Sequence, residues 1–588
     1  MSVTRGVPRT TLLERLLRPG RASSRDVLLD VCGLVAFALL LMAAGFGLRD
    51  PWPADEPRFA LVAQDILRSG EWLLPRVGGD LYADKPPFSF WLMAMAMALT
   101  GSMRAGFLLP SLLAGIGTTL LVYDLLRRAR GRDVALTGAF LLLLTFQFTW
   151  QARQAQIDAV LCLLTTLSLY GLLRHVVLGP APKWFVVGWV VAGLGVITKG
   201  VGFLPLLALI PFAALARRGW PTTAPDIGGL SLVGAAAMLV TLGAWFVPMM
   251  LVTSAGGELL AYRNEILFQQ TVTRYADAWH HHEPFWYYLV RVIPLLWLPV
   301  IALVPWLWPR WRVALRERDT LVALLLSWVV IVIVFFSVSP GKRGVYLLPA
   351  LPALVMATAP WLPDLLRARG PRRLAFGLAT ALVASAAVAA IYFALNASAA
   401  AQVGVKLGSP PVLPLAIAAL AGSVALVLLR VRDGWLAYAG VLAAILVTIG
   451  LVVGPRSDAV RSGRALIERV EEASAGFAEL GLVGWREQFL LHLRRPSVNF
   501  GHARWREAEA EAADAAAWLA DRAGRALLVE RRMRDACFSQ SDAIDLGGDP
   551  RYHWFLVSGL PDPHCVRRGD RARARLYLPP NASLNTGS

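Results

Sequence analysis

Charge is scarce in this chain. Only 17% of its 588 residues are charged, against 56% hydrophobic, and the mean hydropathy is +0.54. That balance excludes an ordinary soluble protein of several domains and indicates a polytopic membrane protein. Cysteine is scarce too, and four residues are too few for a disulfide-built scaffold. Cys32 and Cys162 fall inside apolar runs and read as small core residues. Cys537 and Cys565 lie in a polar tail and can pair if that tail is exported. No small-residue cleavage site follows the first apolar run, and no self-similar repeat supports a two-halved transporter. Acidic residues are outnumbered, giving a formal net charge of +18. The arginines nevertheless gather in short clusters between apolar runs, which argues for cytoplasmic loops and against a nucleic-acid partner.

Arg5, Arg9, Arg15, Arg18, Arg21 and Arg25 precede an apolar run ending near Leu48 that is long enough to cross a bilayer. We read it as an uncleaved first helix with a cytoplasmic N-terminus. Further apolar stretches predict about thirteen spans, over 27–48, 104–126, 133–149, 157–173, 184–200, 201–216, 228–253, 284–307, 319–338, 345–365, 373–394, 411–429 and 434–453. Alternate connections are then basic: Arg127, Arg128, Arg130 and Arg132; Arg174 and Lys183; Arg217 and Arg218; Arg310, Arg312, Arg316 and Arg318; Arg367, Arg369, Arg372 and Arg373; Arg430 and Arg432. The stretch KPPFSFWLMAMAMALTG (85–101) would invert this register if it crossed. It is short and opens with two prolines, so it is expected as a helix along the interface, beside an amphipathic helix over EPRFALVAQDILRSG.

This register places the unusual polar residues on the exported face: Asp55, the 150–159 turn, 198–200, the 254–283 loop, 337–346 and everything after about residue 455. Asp55 and Glu56 precede a helix, where carboxylates cap, but an acid at the mouth of a bilayer-embedded cavity also suits a general base. Arg58, Tyr82, Asp84 and Lys85 complete that loop. Asp158 opens an apolar span and either faces a cavity or pairs with Arg153. Lys199 sits at an exported turn, where snorkelling to the interface is the plain alternative. His280, His281 and His282 are adjacent, so at most one or two can ligate a metal. Phe285, Trp286, Tyr287 and Tyr288 read mostly as an aromatic belt. Lys342, Arg343 and Tyr346 suit a phosphate whose lipid tail lies in the bilayer.

The tail, 455–588, changes character. RALIERVEEASAGFAEL and ARWREAEAEAADAAAWLADRAG have helical composition, whereas GLVGW and ALLVERR look like strands. It is expected as a soluble periplasmic α/β domain following a transmembrane domain over 1–454.

DEPRFA (55–60), SGEWLLPRVGG (69–79), YADKPPFSFWL (82–92), ARQAQIDA (152–159), TKG (198–200), PFWYY (284–288) and GKRGVYLLPALP (341–352), in this order, resemble the bacterial aminoarabinose transferases of lipid A and the wider protein O-mannosyltransferase superfamily. The resemblance implies a GT-C glycosyltransferase fold in the bacterial inner membrane. It also implies inverting transfer of a sugar from a polyprenyl (undecaprenyl) phosphate carrier to lipid A or another periplasmic glycan. Asp55 would be the catalytic carboxylate and Asp158 its acidic companion. Arg58, Tyr82, Lys85, Arg274 and Tyr346 would bind the carrier phosphate, with Lys199 and Lys342 as further candidates. Gln270 and Thr271 stand where the family often has an acid followed by histidine, and Asp84 replaces a common glutamate. A divalent metal therefore has only Asp84 and His281 as candidate ligands, and no cofactor is otherwise expected. Two alternatives stand: a different pentose, hexose or uronic sugar delivered to another glycan or to protein, and a transporter or flippase. Transport is disfavoured because the charges lie at one edge, away from the midplane.

Overall fold

The computed structural model of the protein describes residues 23–267, 282–502, 504–548 and 552–579. Every apolar stretch named above contains helix, and local signals set many of the ends. Ser23 and Asp26 form a reciprocal capping box that starts the Ser24–Met42 helix. Gly70 and Gly101, both at positive φ, close the Glu56–Ser69 and Phe88–Thr100 helices. The last two are the pair expected in the first loop. Among the described residues seven helices are long and apolar enough to cross a membrane, or eight when a bent pair counts as one. The remaining stretches are short, interrupted or, like the Ser24–Met42 and Pro182–Lys199 helices, long enough but not apolar enough. The first helix ends at Met42 rather than near Leu48, and Arg132–Leu144 is only 13 residues long. The 284–307 stretch bends by 98° between Tyr288–Leu296 and Ile301–Arg316.

Burial sorts these helices into inner and outer. Ile157–Leu178 is the inner one, with 78% of its apolar window buried, against 11% for Gly228–Thr253 and 22% each for Arg369–Leu395 and Val412–Leu429. The outer helices expose Leu239, Leu251, Val388, Leu395, Leu420 and Val427, an apolar surface suited to hydrocarbon. Cys162 is buried as expected, whereas Cys32 is exposed on the first helix. Basic loops are joined to one another, as one shared face requires. Arg132 holds Asp30 at 2.6 and 2.7 Å, Arg130 pairs with Asp319, and Arg372 donates to the Arg432 carbonyl at 3.3 Å.

At the opposite end, β1 (Arg76–Val77) and β2 (Asp80–Leu81) form a small hairpin inside the first loop. The tail builds a six-stranded mixed sheet from β3 (Glu479–Leu482), β4 (Ser497–Asn499), β5 (Arg525–Glu530), β6 (Asp542–Gly548), β7 (His553–Ser558) and β8 (Arg575–Tyr577). Its order is β6-β7-β5-β3-β4-β8, with β4, β3 and β5 parallel and the rest antiparallel. Strand alternation sends β5 side chains to two cores. Leu527 and Val529 pack with Ala512, Trp518 and Met533 of the tail's own helices. Ala526 and Leu528 pack with Phe59, Ala60 and Ile66 of the first-loop helix. The sheet therefore lies on the loop that carries Asp55 and Arg58. Cys537 and Cys565 are paired, with Cα atoms 5.7 Å apart.

Candidate functional site

Asp55 stands immediately before the Glu56–Ser69 helix but does not cap it with its side chain. Its Oδ2 accepts instead from Arg343 Nη2 at 2.8 Å, with the carboxylate largely shielded from water. Glu56 anchors the loop: it accepts from Arg49 Nη2 at 2.8 Å and from the backbone N–H groups of Trp52 and Ala155 at 3.0 Å each. These bonds tie the first loop to the turn before the Ile157–Leu173 helix.

Asp158, in the first turn of that helix, pairs with Lys199 and not with Arg153. The Arg153 guanidinium donates to the carbonyls of Ala44 and Leu446, both at 2.9 Å. Lys199 does not snorkel outward either. Its ammonium lies 4.3 Å from the centre of the Tyr346 ring, a cation–π arrangement. The field at Arg343 comes from Asp158 and Tyr346 as well as Asp55. Asp55, Asp158, Lys199, Arg343 and Tyr346 thus form one cluster from distant parts of the chain.

A second polar group adjoins it. Arg58 meets Glu487 at 2.8 Å and Asp84 at 3.5 Å. Burial works against the Arg58 charge, but Tyr82, Glu487 and Asp84 outweigh it and raise the pKa. Tyr82 is buried, and its hydroxyl is pushed well above the usual range by that burial and by Asp84; Asp55 acts on it too, linking the two groups. Lys85 Nζ donates to the Asp84 carbonyl at 2.6 Å. Glu487, in the short tail helix Glu487–Leu490, was not foreseen from the sequence. Burial raises its pKa, but His502, 3.0 Å away, and Arg58 prevail and hold it at about 2. No motif marks it, since an acid after a strand is too common to signal a partner across more than four hundred residues.

Lys342 stands apart from the cluster. Its ammonium donates to the carbonyls of Glu283 at 2.9 Å and Ser339 at 2.5 Å, and the residue is buried. It secures the 339–343 loop, and its neighbour Arg343 supplies the cation to the cluster. Arg274 and His281 lie outside the described residues, as do His280, Gln270 and Thr271. Phe285 and Trp286 are exposed as a belt requires, whereas Tyr288 is fully buried. Among the described residues no group of three or more His, Cys, Asp and Glu side chains is arranged to hold a metal ion.

Asp55 and Glu56 also line a cavity of about 390 Å³, walled by Trp52, Trp150, Arg153 and Arg461 among others. Arg58, Tyr82, Lys85, Lys199, Arg343 and Tyr346 do not line it. The candidate acid therefore both pairs with Arg343 and borders an open space.

Residues 84–245 match the dolichyl-phosphate-mannose-protein mannosyltransferase family. The chain is 29% identical over 376 residues to undecaprenyl phosphate-alpha-4-amino-4-deoxy-L-arabinose arabinosyl transferase 1 of Pseudomonas fluorescens, covering 62% of this chain and 65% of that protein. It is 32% identical over 380 residues to the arabinosyl transferase of the same description from Pseudomonas aeruginosa, covering 60% and 64%. The chain thus spans less than two thirds of the length of these curated relatives. The resemblance read from the motifs is borne out by these similarities. In three dimensions it is similar to ArnT from Cupriavidus metallidurans bound to undecaprenyl phosphate, with a TM-score of 0.70 and 21% identity over 91% of this chain and 98% of that one. The Archaeoglobus fulgidus oligosaccharyltransferase in its apo form superposes with a TM-score of 0.50 and 13% identity, over 87% and 70%. The architecture is the GT-C fold: a polytopic helical membrane protein with an α/β region at its C-terminal end.

Proposed function

We propose that this chain is a polyprenyl-phosphate-sugar-dependent glycosyltransferase of the bacterial inner membrane, acting on its periplasmic face. The sugar is 4-amino-4-deoxy-L-arabinose, the carrier is undecaprenyl phosphate, and the acceptor is lipid A. The similarity to arabinosyl transferases along three fifths of the chain supports the substrate assignment. The observation that carries the chemistry is Asp55, held 2.8 Å from Arg343 and facing a cavity.

In the reaction the acceptor oxygen forms a bond to the anomeric carbon as the bond from that carbon to the carrier phosphate breaks. The bonding pair leaves with the phosphate, which gains one negative charge. Cations held near the point where charge develops lower the barrier. Arg58 and Lys85 would take that charge from the first loop, with Lys199 and Arg343 beside them and Tyr82 and Tyr346 as hydroxyl donors. Arg343 has a second consequence. Its bond to Asp55 must loosen as it turns to the departing phosphate, freeing the carboxylate to meet the acceptor. A hydroxyl acceptor needs its proton removed by Asp55, whereas a phosphate acceptor, with a second pKa of about 6, is largely ionised at neutrality and needs only orientation.

The test is mass spectrometry of lipid A from cells with and without the chain. A mass difference equal to aminoarabinose is expected, and unchanged lipid A would overturn this acceptor. The mannosyltransferase-family match over 84–245 favours one second reading, transfer of another sugar to a different glycan or to protein.

A further inference from the structure

The cavity beside Asp55 has a chemistry that the donor does not explain. Three guanidinium groups line it, and two are already engaged. Arg49 is bound to Glu56, and Arg153 donates to backbone carbonyls. The Arg461 side chain has no ion pair or hydrogen bond among the described residues. It lies over the Trp52 ring at 4.6 Å, with much of its side chain open to solvent. Stacking holds the guanidinium plane while leaving its edge donors free, the posture from which arginine takes a phosphate with two parallel bonds. Trp52 itself is fixed, since its Nε1 donates to Asp458 at 3.0 Å. Trp150 supplies a second ring, and Leu108, Leu112 and Val453 add apolar wall beside the amides of Gln154 and Gln156. A volume of about 390 Å³ falls within the range of small-molecule sites.

Inversion requires the entering oxygen to arrive opposite the leaving phosphate, and the residues given to that phosphate do not line the cavity. We infer that the cavity is the acceptor subsite and that Arg461 binds a phosphate of an amphipathic phosphoglycolipid headgroup, with a sugar ring against Trp150 and the reacting oxygen at Asp55; the Trp52 ring is already covered by Arg49 and Arg461, each at 4.6 Å. This inference rests on the glycosyltransferase reading and names the side chain that recognises the acceptor. Arg461 begins no catalytic step. Its role is to seat the headgroup, so its effect belongs in acceptor affinity.

The test uses the full-length chain in detergent with bis-phosphorylated lipid A and with the same lipid after phosphatase treatment. Binding is measured by thermophoresis without donor, for the parent and for Arg461→Gln and Arg461→Lys. A lost charge-assisted contact weakens binding roughly tenfold. The expected result is that loss for Arg461→Gln, partial recovery for Arg461→Lys, and no difference among the proteins toward dephosphorylated lipid. In turnover the acceptor KM rises in Arg461→Gln while the donor KM holds. Equal binding by all three proteins overturns the proposal, and so does a change in the donor KM, which would give the cavity to the carrier. Because binding is read without turnover, failure of the acceptor subsite is distinguishable from failure of the transferase reading, which would appear as no sugar transfer by the parent chain.

Discussion

At the scale of single residues, neighbours in sequence hold different offices. Lys342 and Arg343 look alike in a basic outer loop, yet one is buried against carbonyls and the other reaches Asp55. Lys342→Ala removes the donor that satisfies the Glu283 and Ser339 carbonyls, so the expected outcome is lower thermal stability, on the order of 1–3 kcal/mol, with the donor KM unchanged. A raised donor KM at unaltered melting temperature would return Lys342 to the phosphate site. Arg343→Gln is expected to lower kcat on the order of a hundredfold, measured with saturating donor and acceptor. Composition and charge could single out this pair, and the family resemblance could point to Asp55 and Asp158. Neither could say which of two adjacent cations turns inward, because that depends on the 3-10 turn at Gly344–Leu347 and on carbonyls supplied by another loop.

At the scale of elements, GLVGW gives only Gly481 and Leu482 to β3, whereas the strand over ALLVERR was legible because it is apolar and short. β6 was not, since its DAIDLGG sequence is exposed at most positions and is a strand only through pairing with β7. Broken spans were equally hidden. Hydropathy counts apolar residues and does not register the 98° bend between Tyr288–Leu296 and Ile301–Arg316. The Ala508–Asp521 helix was legible, but not the burden it carries in Glu511, which is fully buried and accepts from the Gly484 N–H at 2.8 Å. Burial outweighs that bond and raises the carboxyl to about 7, from an ordinary 4.5. The folded state thus binds this proton more tightly than the unfolded chain does. Its contribution is present below pH 4.5 and is lost as pH rises through 7. Glu511→Gln keeps the acceptor and removes the charge. Thermal melts should show it more stable than the parent at pH 8, by up to about 3 kcal/mol, and equal to it near pH 4. The same difference at both pH values would contradict the assignment.

At the scale of the whole molecule, the tail is bound into the site by buried charge. Asp50 is fully buried between Arg104 at 2.7 Å and Arg464 at 2.8 Å, which joins the first loop to the helix that leads into the sheet. Glu487 goes further and holds Arg58 from the other side of the chain's length. Its pKa of about 2 lies below the ordinary 4.5, so this contribution is complete above 4.5 and disappears as pH falls toward 2. Glu487→Gln leaves Arg58 in a largely buried site with Asp84, at 3.5 Å, as the acid still beside it. The expected outcome is a ten- to hundredfold loss in kcat/KM for the donor, carried by KM, with acceptor KM unchanged. None of this was legible, because residues so far apart share no local pattern.

The central claim is that the exported cluster around Asp55 transfers sugar from a lipid-borne phosphate. It is tested most directly by reconstituting the purified chain with undecaprenyl phosphate-aminoarabinose and lipid A and following product by mass spectrometry. The parent is expected to form aminoarabinosylated lipid A, while Asp55→Asn and Lys85→Ala, inserted and folded to the same extent, form none. Undiminished product from both variants would contradict the account.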